Sequence, residues 1–79
     1  MTYTVQTVLN FYVQHFLNDG MDTPPFIYVA HKTGLAQATV RRAVQKLQEA
    51  GFVIVFGRNQ VEVTPRGYEV YHKLQRRCA

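Results

Sequence analysis

Two adjacent arginines, Arg41 and Arg42, are the side chains best equipped for recognition chemistry in this 79-residue chain. A guanidinium presents a planar fork of donors that pairs bidentately with a guanine edge or a phosphate. Gln37, just upstream, carries an amide that matches adenine in the same way. Ala38 offers a methyl group to thymine, and Gln45 a second amide. Thr39, Lys46 and Lys32 suit phosphates, whose contacts fix register without reading sequence. Most of these residues lie in one stretch, from Gly34 to Gly51, opened and closed by glycine. At about 100° per residue, Val40, Ala43, Val44 and Leu47 form a narrow apolar stripe. Ala38, Arg42, Gln45 and Glu49 then point away from it, with Arg41 and Lys46 on the flanks. The pattern predicts a helix over about 37–50 that buries one side. Gln37 and Thr39 stand at its N-terminal end, where a helix laid in a major groove meets base edges and where its free N–H groups favour an anion. By itself an Arg-Arg pair is equally the solvated face of any surface helix. Glu49, on the same outward ridge, is a counter-signal, though it sits at the far end. What the arginines do depends on what holds them.

The charge distribution favours a nucleic-acid partner. Residues 1–30 contain no lysine or arginine, and Asp19 and Asp22 give them a net charge of −2. Residues 31–79 hold all nine bases against three acids, a net of +6. A basic half of this kind neutralises phosphates and releases their counterions. The length fits a single domain, 1–79, small enough that pairing with a second copy adds useful stability. A hydrophobic fraction of 47% argues against disorder. No apolar run approaches the roughly 20 residues of a membrane span. The N-terminus lacks a basic region followed by an apolar core, so no signal peptide is expected. The lone cysteine, Cys78, cannot staple its own chain and reads as a free tail thiol, with an intermolecular disulfide as the alternative, so nothing suggests an oxidising compartment. A cytoplasmic, nucleoid-associated protein of prokaryotic or viral origin is the expectation.

The elements that must position the arginines follow from periodicity and punctuation. Val5, Val8, Leu9, Tyr12, Val13 and Phe16 recur at helical spacing and predict a helix over 3–18. Thr2 or Thr4 caps its start, and Asn18-Asp19-Gly20 ends it. Tyr3, Phe11 and Leu17 lie off its main stripe. They read either as singly exposed apolar residues, which are common, or as a second apolar strip forming a homodimer interface. Thr23-Pro24 resembles a cap followed by a first-turn proline. It predicts a helix over 24–32 with Phe26, Ile27, Val29 and Ala30 inward, broken by Thr33-Gly34. After the 37–50 helix, Phe52 to Phe56 and Val61 to Val63 are strand-forming runs. The four-residue turn Gly57-Arg58-Asn59-Gln60 joins them into a hairpin over about 52–63. Thr64-Pro65 repeats the cap-then-proline signal and opens a helix to about Gln75, with Tyr68, Tyr71 and Leu74 inward. Residues 76–79 are expected to fray. The order helix, helix, helix, hairpin, helix is mainly α with a small antiparallel hairpin, the order of a winged helix-turn-helix. Arg58 and Asn59 then occupy the wing tip, from which an arginine reaches the minor groove or the backbone. Gly57 and Asn59 serve equally as plain turn formers.

Catalysis finds no support. There is no glycine-rich phosphate loop, paired-carboxylate motif or nucleophile elbow. His15, His31 and His72 are scattered over different helices, none with a second histidine or a cysteine at i+4, so neither a metal nor another cofactor is expected.

The stretch Thr33–Val53 resembles the helix-turn-helix of winged-helix regulators of the MarR and ArsR groups. It carries Gly34-Leu35-Ala36-Gln37-Ala38-Thr39-Val40-Arg41-Arg42 and then Leu47-Gln48-Glu49-Ala50-Gly51-Phe52-Val53. Val63-Thr64-Pro65-Arg66-Gly67 is similar to the segment that follows the wing in MarR-like domains. The resemblance spans roughly 23–75. It implies a sequence-specific double-stranded DNA-binding protein, a small dimeric transcriptional regulator or repressor. Winged helices also serve as protein-interaction modules and as replication or recombination origin binders, and both readings stay open here. The chain departs from the pattern in two places. Ala36 replaces the usual serine cap, a deficit of about 1 kcal/mol, and Ala38 stands where relatives carry proline. Neither long flanking dimerisation helices nor metal-sensing ligands are present.

Overall fold

The computed structural model describes residues 1–20 and 22–78, with side-chain surroundings through residue 76. The elements run α1 (Tyr3–Asn18), α2 (Phe26–Thr33), α3 (Gln37–Glu49), β1 (Val53–Phe56), β2 (Gln60–Val63) and α4 (Pro65–Cys78). This is a winged helix-turn-helix: three helices, a two-stranded wing and a closing helix. The tail thiol expected of Cys78 lies outside the described side chains.

The core is the meeting of the apolar stripes. Val5, Val8, Leu9, Tyr12 and Val13 of α1 pack with Phe26 and Val29 of α2 and with Val40, Ala43, Val44 and Leu47 of α3. Val53 and Val61 of the hairpin and Tyr71 of α4 complete the cluster. The Thr2 hydroxyl caps α1 by accepting from the Val5 N–H at 3.3 Å. Gln14 of α1 donates to the Tyr71 hydroxyl at 3.3 Å and ties α1 to α4. Gly34 ends α2 at φ 74°, its N–H on the Ala30 carbonyl. That left-handed residue lets α3 begin three residues later.

Four expectations need correction. First, α2 starts at Phe26 rather than Pro24. A residue that precedes proline is pushed out of the helical region, so Pro25 keeps Pro24 from being helical, and Pro25 itself is an extended N-cap with ψ 155°. Thr23 is therefore no cap. Its hydroxyl donates to the Val61 carbonyl at 3.0 Å and clips the α2 approach to the wing. Second, Ile27 is 65% exposed. With Phe26 and Val29 facing the core, position 27 is rotated about 100° off that face. Third, the wing loop is three residues, because Gln60 already pairs with Phe56 in the antiparallel ladder. Fourth, α4 runs on through Cys78 instead of fraying at 76.

The wing is anchored at its base. Phe52 N–H donates to the Leu47 carbonyl at 2.9 Å, so β1 leaves directly from the end of α3. On the returning side, Thr64 N–H donates to the Phe52 carbonyl at 3.0 Å. The Thr64 hydroxyl donates to the Gly51 carbonyl at 2.7 Å and accepts from Gly67 N–H at 3.1 Å. One threonine thus joins the end of α3, the wing and the first turn of α4. Val53 and Val61 are buried, with Val55 and Val63 packed beside them, while Ile54, Phe56, Gln60 and Glu62 face outward.

Candidate nucleic-acid interface

Helix α3 is a buried stripe with an exposed ridge. Val40 and Leu47 are fully buried, and Ala43 and Val44 nearly so. Gln37, Ala38, Arg41, Arg42, Gln45 and Lys46 are exposed, and Thr39 is half-buried. Ala36 has the backbone of an N-cap, φ −70° and ψ 150°, but no side chain to accept a bond. The first-turn N–H groups of α3 are therefore left open to a bound anion.

The two arginines go to opposite sides of this helix. Arg41 and Gln37 line a concavity of about 430 Å³ between the start of α2, α3 and the wing. Its other walls are Thr23, Pro24 and Pro25 ahead of α2, Phe26 and Ile27 at the start of α2, and Arg58, Asn59 and Gln60 from the wing. Arg41 lies with its guanidinium carbon 5.8 Å from the centre of the Phe26 ring, a cation–π arrangement that aims it along this groove. Arg42 and Lys46 line a second concavity of about 280 Å³, with Thr39 and with Thr2 and Thr4 at the start of α1. Ala38 and Gln45 sit on the ridge and line neither. Lys32 is also in neither. It lies 5.7 Å from the centre of the Tyr28 ring on α2. Arg66 is drawn to the wing base, 5.6 Å from the Phe52 ring centre.

The fold thus brings Gln37, Arg41, Arg58 and Asn59 around one groove, and Thr39, Arg42 and Lys46 around another. Residues not anticipated as part of this surface are the run Thr23 to Ile27 and Gln60 on one side, and Thr2, Thr4, Val5 and Ala43 on the other. The Pro24-Pro25 pair is the local signal for the first side, since it forces an extended approach into α2.

The charges on this surface are uncompensated. Among the described residues the ion pairs are Lys73–Glu69 at 3.4 Å and His15–Asp19 at 3.8 Å, the second charged only when the histidine is protonated. Arg41, Arg42, Lys46 and Arg58 belong to neither. A surface of this type attracts polyanions and releases their counterions on contact. Among the described residues no helix is long and apolar enough to cross a membrane.

The strip expected on α1 is divided by the fold. Tyr3 is 84% exposed and Leu17 59% exposed. Phe11 instead packs within the chain, its ring centre 6.0 Å from both Tyr28 and His15.

Comparison with known proteins agrees with this fold. A crystal structure of a candidate DNA-binding protein from Ralstonia eutropha JMP134 superposes with a TM-score of 0.75 at 20% identity, over 94% of this chain and 96% of that one. At that identity the likeness establishes the shared fold. No curated protein sequence matches the chain. The IclR helix-turn-helix domain matches residues 15–54, from the last turn of α1 through α2 and α3 into β1. The resemblance to the MarR and ArsR groups therefore holds at the level of the winged helix-turn-helix, and the family matched is a different one. With half of its residues covered by that match, the chain belongs to the IclR helix-turn-helix domain family.

Proposed function

We propose that this chain is a DNA-binding transcriptional regulator that lays α3 in the major groove of double-stranded DNA. The observation that carries the reading is the exposed, uncompensated set Gln37, Arg41, Arg42 and Lys46 on a helix with an open N-terminus, with Arg58 of the wing beside it. Arg42, with Ala38 and Gln45 on the ridge, meets base edges. Thr39, Lys46 and Lys32 hold phosphates. Arg41 and Gln37 read or grip the strand on the wing side, and Arg58 and Asn59 reach the adjoining backbone or minor groove. The protein acts as a homodimer in the cytoplasm, on the nucleoid, as a repressor. Tyr3 and Leu17 on the outer face of α1 are offered to a second copy, and Phe11 supports that face from within.

The test is binding to random and selected DNA pools at several salt concentrations. A steep fall of affinity with salt is expected, and a loss of about 1–3 kcal/mol for each arginine that reads a base. No binding at low salt, or full binding by the Arg41→Ala/Arg42→Ala double variant, overturns the DNA reading. For the dimer, the mass in solution of wild type and Leu17→Glu is decisive. A monomeric wild type at micromolar concentration overturns it.

A further inference from the structure

The amino end of α1, the carboxyl end of α3 and the second half of α4 leave an apolar trough between them. One part, about 460 Å³, is lined by Met1, Val5, Leu47, Ala50 and Phe52, with Thr2 and Lys46 at its edge. A second, about 340 Å³, shares Met1 and Phe52 and adds Val70, Leu74 and Lys73. Each is within the roughly 300–1,000 Å³ typical of small-molecule sites. The charged groups carried by its lining residues are Lys46, Lys73 and the Met1 α-ammonium, with no acid among them. Lys73 already pairs with Glu69 at 3.4 Å. Lys46 has no ion-pair partner among the described residues. The Thr2 hydroxyl oxygen accepts from the Val5 N–H, which leaves its O–H as a further donor beside the trough. An apolar lining that carries free ammonium groups and no acid is complementary to a molecule with an apolar body and an anionic head.

We infer that this trough binds an apolar carboxylate, its chain against Val5, Leu47, Phe52, Val70 and Leu74 and its carboxylate on Lys46. The site is coupled to the surface described above, because Lys46 also lines the Arg42 concavity. A carboxylate that engages Lys46 withdraws it from a phosphate and adds a negative charge beside Arg42. Ligand therefore weakens DNA binding, and DNA weakens ligand binding by the same factor. The regulatory half of this inference rests on the DNA reading, and the binding half does not.

The probe is decanoate below its micellar concentration, with decyltrimethylammonium as the cationic control. Direct binding is followed by NMR shifts of the Met1, Ala50, Val70 and Leu74 methyl groups, without DNA. DNA affinity is measured separately by anisotropy. Two variants block the trough outside the DNA surface: Ala50→Phe, which fills it from an exposed position, and Leu74→Glu, which places a carboxylate inside it. The expected result is saturable decanoate binding by wild type, a loss of at least about 10-fold in both variants, and a decanoate-induced drop in DNA affinity of at least about 5-fold. Circular dichroism confirms that each variant is folded. Absence of shifts at millimolar decanoate, or equal binding of the cationic control, overturns the site. Binding with no effect on a measurable DNA affinity overturns the coupling. Decanoate binding by a protein that binds no DNA upholds the site and overturns the DNA reading alone.

Discussion

Gly67 is required by a close approach, and replacing it with alanine tests how the wing is held. It is buried in the first turn of α4, its N–H on the Thr64 hydroxyl. A Cβ added there would overlap the Phe52 carbonyl oxygen and lie 2.7 Å from Val63 Cγ1 and 3.1 Å from the Phe52 carbonyl carbon. The obstacle is backbone, so no rotamer change relieves it. The same carbonyl accepts the Thr64 N–H at 3.0 Å, and the Phe52 N–H holds the end of α3. Relief therefore means moving α4 away from the wing base. Overpacking of this kind costs about 1–3 kcal/mol, and a weakened Thr64–Phe52 bond adds about 1 kcal/mol. Against this, alanine is better than glycine in a helix by about 1 kcal/mol. The steric terms win, for a net loss of about 1–3 kcal/mol. In a domain of this size each kcal/mol lowers Tm by about 4–8 °C, so Gly67→Ala should melt about 5–20 °C below wild type. Thermal and urea unfolding followed by far-UV circular dichroism measures this, with the exposed Glu69→Ala on the same helix as control. A Gly67→Ala protein as stable as wild type, or more so, would refute the claim that α4 is pressed onto the wing base.

Three further outcomes are expected. Ala36→Ser should stabilise the domain by about 1 kcal/mol, because the N-cap backbone geometry is already present and only the accepting oxygen is missing. Unchanged urea unfolding would show that another group satisfies the first turn of α3. Thr64→Val should cost about 1–3 kcal/mol through loss of its bonds to Gly51 and Gly67, read by the same unfolding assay. Arg41→Ala and Arg42→Ala should weaken DNA binding additively to within about 0.5 kcal/mol, since they line concavities that share no residue. A double-mutant cycle by anisotropy with strong coupling between them would contradict their placement on separate sides of α3.

The long elements were legible because their determinants are local. The α1 stripe and its Thr2 cap, the α3 stripe and the glycine that ends α2 are read from spacing and residue type alone. The misjudged boundaries have equally specific causes. The first proline of Pro24-Pro25 has the local signature of a helix start, and the second postpones that start to Phe26. Gln60 looked like turn and is strand because cross-strand pairing with Phe56 claims it. The end of α4 was placed too early, since its last turn carries little apolar periodicity.

Sequence by itself determined which residue types stand on the exposed face of α3 and that the basic charge lies in residues 31–79. These follow from helical period and side-chain chemistry, which act over one or two turns. Only the tertiary structure decided how the face is divided. Arg41 is drawn to one side because Phe26, fifteen positions earlier, brings its ring beneath it, and Arg58 joins that side because Thr64 and Thr23 fasten the wing there. Arg42 borders the start of α1, forty residues away in sequence. Such neighbours are set by how stripes pack against one another, and no local pattern in the chain records the angle at which they meet.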